Sequence, residues 1–163
     1  RRPPRSTHCI SSAASDVYKR QDESKIVELE DGKWMVNSRV NNKGIRYSHT
    51  STNNGKTWLT KEEKELIDPG CNASFIKYNY GKYKRESILI LSNVNNSKIR
   101  KEIVIRYSLD EGQNWSKPKI VYSGEAAYSS MTILSNGEIG LFFEKDNYTK
   151  NAFTSFSLDW LLN

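Results

Sequence analysis

The stretch SLDEGQNWS (108–116) sets Ser108, Asp110, Gly112 and Trp115 at fixed offsets, and STNNGKTWL (51–59) repeats them as Ser51, Asn53, Gly55 and Trp58. A turn signal that recurs with its tryptophan constrains the fold more than any single strand does, because each copy must close the same local unit. Ser and Asp side chains accept hydrogen bonds from nearby backbone N–H groups, and Gly enters the left-handed region without a Cβ clash. Asn replaces Asp at 53 and can make a similar bond. Trp, three residues after Gly, can then fold back across the hairpin into the space between neighbouring sheets. The spacing predicts a self-locking turn and reads Asp110 as a turn brace rather than a catalytic acid.

Around these turns the pattern is β from residue 24 onward, with short β-branched or aromatic runs broken by turn residues. KIVEL turns through EDGK into KWMVNSRV, and NNKG leads into IRYSHT. Asp-Gly and Asn-containing turns are hairpin signals because they tolerate positive φ. KEEKELIDPG (61–70) reads as a charged loop, after which ASFIKYN, SILILSN, EIVIRYS and PKIVYSG form a second cycle. YSSMTILS, the turn NGE, IGLFFEK and AFTSFS form a third. Trp58 and Trp115 lie 57 residues apart, each closing the third strand of a four-strand cycle. Repeated four-stranded antiparallel units predict an all-β fold of about three propeller blades. A β-sandwich or barrel is the competing architecture, and it would place both tryptophans in one core.

The net charge of +6 is unevenly placed. Residues 1–21 hold Arg1, Arg2, Arg5, Lys19 and Arg20 against Asp16, whereas 20 basic residues face 18 acidic ones from residue 22 onward. With no basic stripe interleaved with aromatics, nucleic acid is not an expected partner. No apolar run approaches the roughly 18 residues that cross a bilayer, so no membrane-spanning helix is expected. Cys9 and Cys71 do not make a disulfide framework and sit at no metal-ligand spacing with His8 or His49. No metal is therefore expected, and the redox compartment is not readable. Cys71, without a His placed to activate it, reads as a small buried residue. The leader RRPPRSTHCISSAASDVYKRQ (1–21) has neither strand nor helix period and resembles translated linker or adapter DNA; a natural disordered basic tail is the alternative. The folded domain is expected over 22–163.

S-x-D-x-G-x-x-W resembles the Asp-box of bacterial exo-α-sialidases and related propellers, a motif that implies fold more than function. A more specific resemblance lies in four pieces that occur in the order of a sialidase C-terminal half: ESKIVELEDGKWMVNSR, PGCNASF, LSNVNNSKIRKEIVIRYS and AAYSSMTILSNGEIGLFFE. With the final AFTSFSLDWL, it covers about residues 22–163. The resemblance implies a partial six-bladed propeller, sialylated glycans as partners, no cofactor, and a secreted or cell-surface setting rather than a cytoplasmic one.

The resemblance also implies roles. Arg39, sixteen residues after Glu23, and Arg100, eight before Ser108, match two of the three arginines that clamp the carboxylate of sialic acid. Tyr128 matches the nucleophile, Glu23 the carboxylate that activates it, and Glu144 an acid that orients the remaining arginine. The chemistry is coherent. A planar guanidinium offers paired donors to a carboxylate. A carboxylate nucleophile would meet the substrate anion with a repulsion of roughly 4 kcal/mol at about 4 Å and an effective dielectric near 20. A neutral phenol avoids this repulsion, and with a pKa near 10 it needs a base. Sialidases with a tyrosine nucleophile depart in this way from the two-carboxylate rule.

Each assignment has a plainer rival. Tyr128 taken alone is a packing residue on a strand, and Arg100 a solvated charge beside Lys98 and Lys101. Glu28 is the alternative base. Arg39 on a core-facing strand calls for an anionic partner. The resemblance places a further arginine, in an RIP-type motif, and an acid/base Asp in a missing N-terminal half. Without that acid the rate would fall by about 10²- to 10⁴-fold. Without the half-ring, Trp34, Phe142 and Phe143 are expected at exposed faces. A non-catalytic Asp-box propeller that binds glycans or proteins is the alternative function.

Overall fold

The computed structural model describes residues 21–163. Ten strands form two antiparallel sheets. The first contains β1 (Gln21–Glu28), β2 (Trp34–Val40), β3 (Ile45–Ser51) and β4 (Leu59–Ile67), paired in sequence order. The second contains β5 (Ser74–Tyr78), β6 (Ile88–Val94), β7 (Lys101–Ser108), β8 (Lys119–Ile133), β9 (Ile139–Lys145) and β10 (Lys150–Phe156), again as sequential neighbours. A 3-10 turn spans Gly81–Arg85, and a terminal helix α1 spans Leu158–Leu162, its Ser157 hydroxyl accepting from Trp160 N–H. The leader over 1–20, with His8 and Cys9, lies outside the described residues, while Gln21 already belongs to β1.

The packing separates the sandwich reading from the blade reading. Every residue of β6 is buried, and its alternating side chains enter two different cores. Leu89 and Leu91 meet Met35 and Leu66 of the first sheet and Leu29 of its first turn, with Ala73, Phe75 and Trp115. Ile88, Ile90 and Val94 meet Ile139, Leu141 and Phe143 of the far half of the second sheet, with Phe156, Leu158 and Leu161 beyond. A strand covered on both faces lies in the middle layer of a stack, and burial of each large aliphatic side chain contributes about 1.5–3 kcal/mol. Trp115 lies edge-on to Phe75 at 6.2 Å between two sheets, whereas Trp58 stays in its own turn, donating Nε1–H to Gly55 O at 3.1 Å. The two tryptophans do not share a core.

The repeated turns close as their sequence requires. Ser108 Oγ accepts from Gly112 N–H at 2.8 Å and donates to Asp110 Oδ1 at 2.8 Å, and Asp110 accepts from Asn114 N–H at 2.9 Å. Ser51, Asn53, Gly55 and Thr57 repeat this, with Ser51 Oγ accepting from Gly55 N–H at 2.9 Å and Asn53 Oδ1 from Thr57 N–H at 2.9 Å. Burial pushes the Asp110 carboxyl up, but the hydrogen bonds from Asn114 and Ser108 outweigh it and hold the group below its ordinary range. Gly112, at φ 81°, could not carry a Cβ without meeting Met35 Cε at 2.5 Å.

Three expectations need correction. KEEKELIDPG is not a loop: most of it forms β4, an edge strand whose outward charges discourage edge pairing while Glu63 and Leu66 turn inward. PKIVYSG and YSSMTILS are not separate strands but one 15-residue strand, β8. Its first half pairs with β7 and its second with β9, with register shifts between residues 120 and 129; Gly124 and the shifts let the strand pass from one blade-like layer to the next without a loop. Finally, Phe143 is buried against Tyr122 at 5.8 Å between ring centres, while Phe142 remains 48% exposed.

A buried ionic knot joins the sheets. Arg46 on β3 and Asp68, each 1% exposed, meet at 3.0 Å. Arg46 also donates to Asn37 Oδ1 at 2.5 Å and to Cys71 O at 3.0 Å. Asp68 Oδ1 accepts from Gly70 N–H at 2.8 Å and Cys71 N–H at 2.7 Å, and its Oδ2 from Asn93 Nδ2 on β6 at 3.4 Å.

Two substitutions test this account by urea unfolding. Asp110→Ala removes the acceptor for Asn114 and should cost about 1–2 kcal/mol; an unchanged midpoint would remove the brace role. Asp68→Ala strands a buried guanidinium and should cost about 3–5 kcal/mol, and a loss under about 1 kcal/mol would show that water reaches Arg46 in the native state.

Candidate active site

β1, β5 and the second half of β8 lie side by side, with β5 in contact with both others. Their common end gathers residues far apart in sequence. Arg39, at the end of β2, donates from Nη1 to Glu23 Oε2 on β1 at 2.6 Å and to the Tyr128 hydroxyl on β8 at 3.2 Å. Tyr128 donates in turn to Glu23 Oε1 at 3.0 Å. Carboxylate, guanidinium and phenol thus close a triangle across 105 residues of sequence. Glu28, the alternative base, pairs with Trp34 at the other end of β1, so position favours Glu23.

Arg100 joins from the loop before β7. Its guanidinium carbon stands 5.4 Å from the centre of the Tyr128 ring, Nη1 donates to the Tyr148 hydroxyl at 2.6 Å, and Nη2 to Gly70 O at 3.4 Å. Glu144, on β9, accepts the Tyr128 backbone N–H at 3.1 Å and so fixes the strand that carries the phenol. Arg39, Arg100, Tyr128, Glu23 and Glu144, all singled out in the sequence, therefore meet in one place.

Sequence reasoning missed further groups that contact the two arginines. Asn41 Oδ1 accepts from Arg39 Nε at 3.0 Å. Gly70, at φ 87°, brings its backbone beside Arg39, where a Cβ would stand 3.5 Å from Nε. The same residue's carbonyl receives Arg100. Asp68 holds this loop, and the Asp-Pro-Gly string was its only signal in the sequence, readable as a turn but not as a support. Tyr148, at the β9–β10 hairpin, gave no signal at all.

Electrostatics follow from these contacts. Burial pushes the Glu23 carboxyl up, but its own backbone N–H, Arg39 and Tyr128 outweigh this and hold it below the ordinary glutamate range. Burial lowers Arg39, and the hydrogen bond with Glu23 more than restores it, leaving it above its usual value. Burial pushes the Cys71 thiol up to about 12, so it stays protonated and is no nucleophile at neutral pH. The site can present a guanidinium pair to an anion and hold a carboxylate against a phenol, which is a base against a latent nucleophile. Among the described residues no cluster of three or more His, Cys, Asp or Glu is arranged to hold a metal ion, and no helix is long and apolar enough to cross a membrane.

Sheets stacked face to face and closed by the same serine-anchored turn are the architecture of a β-repeat protein. The chain belongs to the BNR repeat-like domain family, which matches residues 10–141. It is 34% identical over 145 residues to a sialidase of Micromonospora viridifaciens, covering 86% of this chain and 22% of that protein. It is 32% identical over 128 residues to a sialidase of Bacteroides fragilis, covering 75% and 24%. The solved structure of Hadza microbial sialidase Hz136 superposes with a TM-score of 0.76 at 25% identity, over 87% of this chain and 28% of that one. The chain spans about a quarter of the length of these relatives.

A titration checks the triangle. Glu23 is expected to titrate below the usual glutamate value of about 4.3, so its carboxylate persists to lower pH than an isolated one would. Arg39→Met removes a donor while leaving the burial, and should move it upward. Carbon-detected NMR reads both, and an unmoved value in the variant would mean that the ion pair is absent in solution.

Proposed function

We propose that this chain is the C-terminal part of an exo-α-sialidase, a six-bladed propeller that releases terminal α-linked sialic acid from glycoconjugates with retention of configuration. The observation that carries the reading is the closed triangle of Glu23, Arg39 and Tyr128 with Arg100 at its edge. Three residues of a packing face or a solvated surface have no reason to converge in this way, and the sialidase relatives supply the substrate class.

In the proposed reaction Arg39 and Arg100 hold the carboxylate borne by the reacting carbon, which fixes that carbon relative to the phenol. The Tyr128 oxygen attacks it as its proton passes to Glu23 Oε1, already its hydrogen-bond partner. The glycosidic bond breaks, and its oxygen leaves with a proton from an acid that the resemblance assigns to the other half of the ring. Water, giving a proton back to that acid, then displaces the tyrosyl oxygen from the reacting carbon, and Tyr128 recovers its own proton from Glu23. A neutral nucleophile suits a substrate whose own anion sits beside the reacting carbon. Glu144 supports Tyr128 through its backbone. This chain alone, without the acid and the third arginine, is expected to show no turnover. The leader over 1–21 takes no part in the proposal.

The test is sialic acid release from a fluorogenic α-sialoside by the full-length protein and its Tyr128→Phe variant. Activity that falls by at least about 10²-fold in the variant is the expected result. Activity indifferent to the substitution would remove Tyr128 as nucleophile. A folded full-length protein without activity would instead favour the glycan- or protein-binding propeller, which keeps the turns and needs no chemistry.

A further inference from the structure

The β9–β10 hairpin is built at a conformational cost that its own fold does not explain. Asp146, Asn147 and Tyr148 take φ values of 52°, 51° and 65° in succession. This left-handed run suits Asn, tolerates Asp, and is unfavourable for a tyrosine. Asp146 braces it: its N–H donates to Glu125 O at 2.9 Å, its carboxylate accepts from Tyr122 at 2.5 Å and Lys150 at 3.1 Å, and its carbonyl accepts from the Thr149 hydroxyl at 2.6 Å. None of these bonds uses the Tyr148 side chain, which is 52% exposed and contributes nothing to either core.

What the strain delivers is a phenol on Arg100. The Tyr148 hydroxyl accepts Nη1–H at 2.6 Å, and its ring centre stands 5.8 Å from the guanidinium carbon. The Tyr128 ring lies 5.4 Å from the same carbon. Arg100 is thereby held by two aromatic rings, by one hydroxyl and, more weakly, by Gly70 O. A guanidinium has five N–H donors, so about three remain for an anion. An arginine on an unsupported loop would have to give up side-chain freedom when it took a carboxylate. One already fixed has less to lose. Tyr148 also lines a cavity of about 620 Å³ together with Arg100, Glu125 and Ala126.

We propose that Tyr148 is a positioning residue for Arg100, whose hydroxyl and ring pre-set the guanidinium to receive the substrate carboxylate. The proposal rests on the sialidase reading for its consequence, but not for the contact itself. Two measurements on the full-length protein separate these. The first is the guanidinium NMR spectrum of Arg100, in which hindered rotation separates the Nη resonances. They should be resolved in the wild type, and should merge in Tyr148→Asn, which keeps a left-handed turn while removing hydroxyl and ring. The second is kinetics on a fluorogenic α-sialoside. Tyr148→Phe should raise KM roughly 3- to 10-fold and Tyr148→Asn more than 10-fold, with kcat within about twofold and the melting temperature unchanged or higher.

A merely structural tyrosine would lower the melting temperature and leave KM alone. That result, or an Arg100 spectrum indifferent to both variants, overturns the proposal. Resonances that merge in a protein that releases no sialic acid would uphold the positioning and sink the sialidase reading instead.

Discussion

Arg46 and Asp68 meet at 3.0 Å with almost no exposure, and most of the candidate site hangs on what that contact holds. A buried ion pair contributes little net stability, since desolvation of the two charges offsets most of their attraction. Its value here is geometric. Arg46 comes from the first sheet, Asn93 from the second, and Asp68 binds the N–H groups of Gly70 and Cys71 in the segment between them. That segment then lies beside Arg39 and presents Gly70 O to Arg100. Arg39 of β2 and Arg100 of the loop before β7 are thus referred to one short loop, and the loop is referred to both sheets. An apolar replacement of equal volume could keep the sheets together, but would leave two backbone N–H groups without their acceptor.

The second constraint is the length of β8. A loop between the blade-like layers would leave Tyr128 at the start of a new strand, with its position set by that loop. In the continuous strand, Ala126 and Ala127 are buried just ahead of it, the Ser129 hydroxyl binds Ser92 O at 3.2 Å, and Glu144 takes the Tyr128 N–H. Small residues before the phenol let the strand pass close to its neighbours, and the hydroxyl beyond it ties β8 to β6. The phenol is therefore placed by backbone on both sides, as a group that must meet a reacting atom needs to be.

What was legible in the sequence was local or carried by resemblance. The serine-anchored turns depend on four residues each and could be read from them. An arginine on an inward strand demands an anion, so a partner for Arg39 could be expected, but that Glu23 fills this place was not readable, since the resemblance gave it only as the base for Tyr128. The rest failed for physical reasons. β4 carries Lys61, Glu62, Glu63, Lys64 and Glu65, and charge that protects a sheet edge looks like charge in a loop. β3 buries Arg46 and Ser48 on one face and His49 and Ser51 on the other, so neither face shows the hydrophobic alternation that would betray a strand; Ser48 donates to Glu63 across the pair. A knot of polar groups satisfied by one another leaves no apolar periodicity, and Asp68 could be read only as part of a turn. Tyr148 was hidden because its contact with Arg100 depends on backbone angles that nothing in its neighbours announces.

On the proposed reading, the triangle also couples binding to chemistry. In the absence of substrate, Arg39 Nη1 serves Glu23 and Tyr128 at once, which keeps Glu23 ionised but makes it a weaker base than an isolated carboxylate. A substrate carboxylate arriving on Arg39 competes for the same guanidinium. Shared between two anions, Arg39 stabilises each of them less, so Glu23 regains basicity when the reacting carbon reaches the phenol. Activation of the phenol therefore waits for the anion that identifies the substrate. The same competition explains why the clamp needs Arg100: with Arg39 partly committed to Glu23, a second guanidinium, held by groups that do not share its charge, must carry the larger part of the carboxylate.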